Sequence, residues 1–132
     1  MIGKTLLATI LSVANCVCMA EPPLACNLNA ISRGERPRHQ QLTKLWQSAV
    51  LDRRELDDGY SFHIDRSIVS IDELAQWITL EHKCCPFFRF RLDLNEHAVD
   101  EHDNVWMTIT GVAGIKAFLA AEFPVASSRK VT

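Results

Sequence analysis

The sequence predicts an α+β domain in which helices pack on one face of a small antiparallel sheet. Three segments have apolar residues at helical spacing, and three others alternate apolar with polar residues as strands do. These segments follow one another in the order (β)αβαββα, where the bracketed strand is a short stretch around Cys26. Hairpin strands combined with helices on one side are typical of α+β domains. The preferred topology is ferredoxin-like, with the stretch at residues 25–29 as an edge strand.

The first helix is predicted to follow a capping box formed by Ser32 and Glu35. Its apolar stripe consists of Leu42, Leu45, Trp46, Ala49 and Val50. A turn at Asp57-Asp58-Gly59 comes next. Beyond it, Tyr60, Phe62 and Ile64 alternate with polar residues, which predicts a half-buried strand.

A second capping box at Ser70 and Glu73 opens the next helix. Its predicted buried face is Leu74, Ala75, Trp77 and Ile78. This helix must end near Cys85, because Pro86 disfavours helical geometry in the residue before it. Alternating residues then predict strands over 88–94 and 105–109, and apolar residues between Ile115 and Phe123 predict a last helix.

The 132-residue chain is predicted to contain a single domain over residues 21–124, with a signal peptide at 1–20 and a flexible polar tail at 125–132. Lys4 is followed by a short apolar run, by Ala20 and by a Glu-Pro-Pro break, which is typical of secretory leaders. The run is shorter than the ~20 residues of a membrane span. A periplasmic or secreted location follows, with a cytoplasmic one as the alternative if the start codon is mis-assigned.

Composition and charge exclude some classes of function. Hydrophobic residues make up 48% of the chain and the formal net charge is −2, as in an ordinary globular protein. No basic block is present, which argues against nucleic acid as a partner. The sequence has neither a G-x-S-x-G nor an H-E-x-x-H motif, so an enzyme of those classes is not expected.

The segment EHKCCPFFRF (81–90) places two cysteines at the predicted end of the second helix. Glu81 lies one helical turn before Cys84 and Cys85 and shares their face. Because Pro86 forces Cys85 out of helical geometry, both sulfurs can turn toward one small volume. The phenylalanines that follow would limit the access of water.

Adjacent thiols suit a shared metal or metalloid better than a disulfide with each other. The ideal Cα separation in a disulfide is ~5.5 Å, whereas neighbouring residues are ~3.8 Å apart. Cys26 is the natural third ligand, and three sulfurs match trigonal arsenic(III) or mercury(II). Copper(I) also accepts thiolates, and Glu81 or His82 would complete a four-ligand zinc site.

Three other interpretations of the cysteines stay open. They can be ordinary core residues, since free cysteine is often buried. Cys26 can form a structural disulfide with Cys84 or Cys85 in a non-catalytic exported domain. The pair can also act as a thiol oxidoreductase, although the C-terminal end of a helix disfavours a thiolate.

Four segments of the chain resemble a group of small bacterial proteins of unassigned function. They are ACNLNAISRGERPRHQQL, ELDDGYSFHID, LEHKCCPFFRFRLDL and VWMTITGVAGIKAFLAAEF, which together span roughly residues 25–123. The marks of that group are a Glu-x-x-Cys-Cys-Pro-Phe segment, an upstream Ala-Cys and a closing Thr-Gly-x-x-Gly. The resemblance implies a link to mercury or arsenic resistance, with Cys26, Glu81, Cys84 and Cys85 as the site residues. The signal-like leader departs from what a cytoplasmic member would carry.

Overall fold

The computed structural model describes residues 24–95 and 104–124 and confirms the predicted α+β class. Its elements are a short 3-10 helix (Leu28–Ala30), α1 (Arg36–Ser48), β1 (Val50–Leu56), β2 (Gly59–Ile64), α2 (Ile71–Cys84), β3 (Phe88–Asn95), β4 (Asn104–Gly111) and α3 (Ile115–Glu122). The predicted leader at 1–20 and tail at 125–132 lie outside these residues. Among the helices described here, none is both long and apolar enough to cross a membrane.

The four strands form one sheet in the order β1-β2-β4-β3, and all neighbouring strands are antiparallel. Two hairpins, β1-β2 and β3-β4, meet through β2 and β4, where Phe62 pairs with Met107. α2 connects the two hairpins. The predicted ferredoxin-like topology is not confirmed, because the order along the chain is helix, hairpin, helix, hairpin, helix.

The predicted edge strand around Cys26 is wrong. Residues 24–27 have no regular structure and lead into the 3-10 helix, and the two edge strands of the sheet are β1 and β3. β1 was missed because its sequence, VLDRREL, is charged at its centre, as is typical of edge strands. Its arginines contact aromatic rings on β2 and β4: Arg53 lies 4.8 Å from the ring of Tyr60 and Arg54 lies 4.0 Å from that of Trp106.

Local sequence signals set both ends of α2. The capping box is present, since Glu73 N–H donates to Ser70 Oγ at 3.1 Å and Ser70 N–H donates to Glu73 Oε2 at 2.9 Å. The helix ends at Cys84, and Cys85 has left helical geometry at φ −125° and ψ 69°. The box at Ser32 and Glu35 also forms, but α1 begins only at Arg36, just beyond it.

The core lies between the helices and one face of the sheet. Trp46 of α1 and Trp77 of α2 are fully buried, with ring centroids 4.9 Å apart. Ala75 is exposed and Ile78 only half-buried, so the predicted buried face of α2 is wrong at Ala75. The buried stripe of α2 instead consists of Leu74, Trp77, Leu80, Glu81 and Cys84. The stripe therefore ends on a carboxylate and a thiol, which places both groups inside the protein.

Candidate thiol and carboxylate site

The four residues predicted as metal ligands come together in the structure. One ligand atom from each of Cys26, Glu81, Cys84 and Cys85 lies within 4.8 Å of all the others. Glu81, Cys84 and Cys85 are at most 2% exposed, and Cys26 is half-buried. The C-terminal end of α2 and the segment before the 3-10 helix thus form one largely buried cluster of sulfur and oxygen atoms.

The end of α2 turns the two neighbouring sulfurs toward each other. Cys85 N–H still donates to Glu81 O at 2.8 Å, while its backbone has already left the helical geometry that Pro86 disfavours. The sulfur atoms of Cys84 and Cys85 are 3.6 Å apart. The geometry that the sequence predicted for this pair is therefore confirmed.

Cys26 reaches the cluster because its segment is hydrogen-bonded to the end of α2. Asn27 N–H donates to Cys84 O at 2.8 Å, which satisfies a carbonyl left free by the end of the helix. Cys26 forms a disulfide with Cys85, with Cα atoms 4.8 Å apart and a sequence separation of 59. Of the two partners left open by the sequence, Cys85 is the one that the structure selects.

Cys84 keeps a free, buried thiol beside this disulfide. Its Sγ–H donates to Glu81 O at 3.3 Å. Burial and then the negative charge of the Glu81 carboxylate raise the pKa of the Cys84 thiol from 9.0 to about 12. At neutral pH this thiol is protonated and is a poor nucleophile.

Glu81 is a buried carboxylate held by a histidine that sequence reasoning did not assign to the site. His39 of α1 is 9% exposed, and its Nε2 lies 2.5 Å from Glu81 Oε2 in a hydrogen bond. Glu81 Oε1 lies 3.9 Å from Cys26 Sγ, which is a contact without a hydrogen bond because the disulfide leaves no proton on that sulfur. The signal for His39 was present in α1, since it lies three and seven residues before the buried Leu42 and Trp46.

His82 does not join the cluster, although the sequence offered it as an alternative zinc ligand. It is exposed and lies against Phe90, with ring centroids 6.4 Å apart. Helical geometry explains the difference, because His82 follows the buried Glu81 by one position and so points about 100° away from it. Of these two residues, only Glu81 lies in the cluster.

A cleft of about 400 Å³ opens beside the cluster. Cys26, His39, Glu81 and Cys84 line its inner end, whereas Cys85 does not line it. Leu28, Phe123 and Pro124 form apolar parts of its wall, and side chains of α1 form a polar part. The cluster is therefore accessible from the cleft through Cys26 and Cys84.

The high pKa of Cys84 gives a direct prediction. In the disulfide-bonded protein, alkylation of Cys84 should be slow at neutral pH and should accelerate up to a midpoint near pH 12. Glu81→Gln should lower this midpoint, because it removes the second cause of the shift, but burial should keep it above 9.0. Alkylation rates measured by mass spectrometry between pH 7 and the onset of alkaline unfolding test both statements, and a midpoint below 9.0 in the parent would contradict them.

No protein-family model, no curated protein and no solved structure matches this chain. The functional proposal therefore depends on the chemistry of the cluster and of the cleft beside it.

Proposed function

We propose that the reduced protein binds a soft metal ion or metalloid through Cys26, Cys84 and Cys85, with Glu81 as an additional ligand or as an acceptor of the protons released. The observation that supports this function is the convergence of three sulfurs and one carboxylate within 4.8 Å of one another. Three cysteines and a glutamate meet at this point, whereas a structural disulfide requires only two cysteines. A disulfide alone therefore does not explain this set of ligands.

The sulfur spacing suits metal coordination. A tetrahedral ion with bonds of ~2.3 Å to sulfur holds neighbouring sulfurs ~3.8 Å apart. The Cys84 and Cys85 sulfurs are already 3.6 Å apart. Three sulfurs favour thiophilic centres such as mercury(II), arsenic(III) or copper(I), and the Glu81 oxygen would complete a zinc site.

Charge balance also favours a cation at this point. Three thiolates and a carboxylate at the negative end of a helix would repel one another strongly in a buried site. A bound cation compensates this charge and allows the thiols to ionise despite the raised pKa of Cys84.

The disulfide determines when the site can bind. In the disulfide-bonded form, Cys84 is the single thiol of the cluster. Reduction of the Cys26–Cys85 bond restores the other two thiols. We therefore expect binding by the reduced protein and little or none by the oxidised protein.

The disulfide itself favours a second candidate, a non-catalytic exported domain that Cys26 and Cys85 staple together. A periplasmic or secreted location, proposed from the leader-like residues 1–20, would keep this bond oxidised. A thiol oxidoreductase has less support, because the neighbouring Cys84 has its pKa raised to about 12 and does not favour attack on the disulfide.

Titration separates the first two candidates. The predicted leader contains two further cysteines, Cys16 and Cys18, which are replaced with serine so that they cannot bind the probe. This full-length variant is reduced, freed of reductant without oxygen, and titrated with mercury(II) or arsenite. We expect a thiolate-to-metal absorbance that saturates near one equivalent. With mercury(II) a proton is released for each ligating thiol, whereas with arsenite each thiol proton leaves with an arsenite hydroxide as water. The same protein left oxidised is the control and should show little absorbance. Equal, weak responses from both samples would reject the metal site and leave the stapled domain.

A further inference from the structure

The cleft beside the cluster is far larger than a bare ion requires. It measures about 400 Å³. A water molecule has a share of ~30 Å³ in the liquid, and an apolar cavity of ~150 Å³ is enough to bind benzene. The space next to the sulfurs therefore fits an organic group of the size of an aromatic ring.

The walls of the cleft also suit an organic group. Leu28, Phe123 and Pro124 supply apolar surface, and Leu28 is 52% exposed in this protein. Gln40 and Lys44 of α1 line another part of the wall and can follow the outline of a ligand with their aliphatic stems. An apolar pocket with a few polar groups beside reactive side chains is typical of a small-molecule site.

We propose that the ligand is a thiophilic centre that carries an organic substituent, namely a monosubstituted arsenic(III) or mercury(II) compound. This inference rests on the proposed function. Cys26 and Cys84 hold the centre, since both line the cleft, and the substituent occupies the cleft. Cys85 does not line the cleft. Ligands of this kind have in common an organic group on the arsenic or mercury centre, which is attached either through carbon or through the sulfur of a small thiol.

For a carbon-bound arsenical the step is a ligand exchange. R–As(OH)₂ reacts with the two thiols of the reduced protein to give R–As(S-Cys)₂ and two molecules of water. Two As–O bonds break and two As–S bonds form, each thiol proton leaves with a hydroxide as water, and arsenic stays in the +3 state. Because the substituent takes the third position on arsenic, two sulfurs suffice and the Cys85 thiol remains free.

The test compares phenylarsine oxide with arsenite on the reduced full chain carrying Cys16→Ser and Cys18→Ser. Gln40→Trp partly fills the cleft, and Gln41→Trp is its matched control, since Gln41 is an exposed glutamine on the same helix that does not line the cleft. Leu28→Trp is a second filling variant on a different wall. Far-UV circular dichroism confirms that each variant is folded.

We expect Gln40→Trp and Leu28→Trp to weaken phenylarsine oxide binding by about tenfold, the equivalent of losing part of an apolar contact. Gln41→Trp should leave it unchanged, and all three should bind arsenite like the parent. Intact mass after alkylation should show one free thiol with phenylarsine oxide and none with arsenite. If arsenite premixed with glutathione also binds more weakly to the filling variants, the organic group can arrive through sulfur as well.

Equal phenylarsine oxide affinity in the parent and in both filling variants would overturn the assignment of the cleft while leaving arsenite binding intact. Failure of the parent to bind arsenite and phenylarsine oxide alike would instead reject the proposed function itself. The two failures are therefore distinguishable.

Discussion

Replacing Cys84 and Cys85 together with serine is expected to abolish binding of mercury(II) or arsenite by the reduced protein. A structural zinc site gains ~10–16 kcal/mol from about four ligands, so the loss of two thiolates should cost at least ~4 kcal/mol, or about a thousandfold in affinity. Serine hydroxyls are hard, protonated ligands and do not replace thiolates for soft ions. Calorimetric or absorbance titration of the reduced chain in the Cys16→Ser/Cys18→Ser background measures the change.

Cys84→Ser alone is the informative companion of this double variant. It keeps the Cys26–Cys85 disulfide, so it can fold in the oxidised form like the parent. After reduction it retains two of the three thiols, and we expect an intermediate affinity. If the double serine variant is folded and still saturates near one equivalent, these cysteines are not the ligands.

Reducing the Cys26–Cys85 disulfide is expected to lower the free energy of unfolding by about 4 kcal/mol. The bond links residues 59 apart in sequence, and the loop-entropy estimate for a loop of that length is ~4 kcal/mol. Urea unfolding of the parent, with and without a reductant, measures the difference. The loss should be smaller when a saturating metal is present, because ligation restrains the same segments.

Cys26→Ser is the control for this measurement. Cys26 is half-buried, so serine is tolerated there better than at the buried Cys85. The variant should have about the stability of the reduced parent and should not respond to reductant. If the free energy of unfolding of the parent is also the same with and without reductant, the disulfide does not form in solution.

Most elements of the fold could be predicted because their signals are local. The capping box at Ser70 and Glu73 closes within three residues, and Pro86 acts on the residue directly before it. β1 was missed because two of its arginines are stabilised by contacts with aromatic rings of β2 and β4, which hydrophobic periodicity does not register. The ferredoxin-like order was not confirmed, because strand order depends on pairings between distant segments such as that of β2 with β4.

For the site, helix spacing and one proline were enough to predict that the sulfurs of Cys84 and Cys85 meet near Glu81. The bond between Cys26 and Cys85, the contact of His39 with Glu81 and the cleft beside two of the sulfurs became visible only once the helices and strands were packed together. The cause of this difference is distance along the chain. Backbone geometry propagates over a few residues, whereas contacts across 42 and 59 residues depend on how the elements pack around a common core.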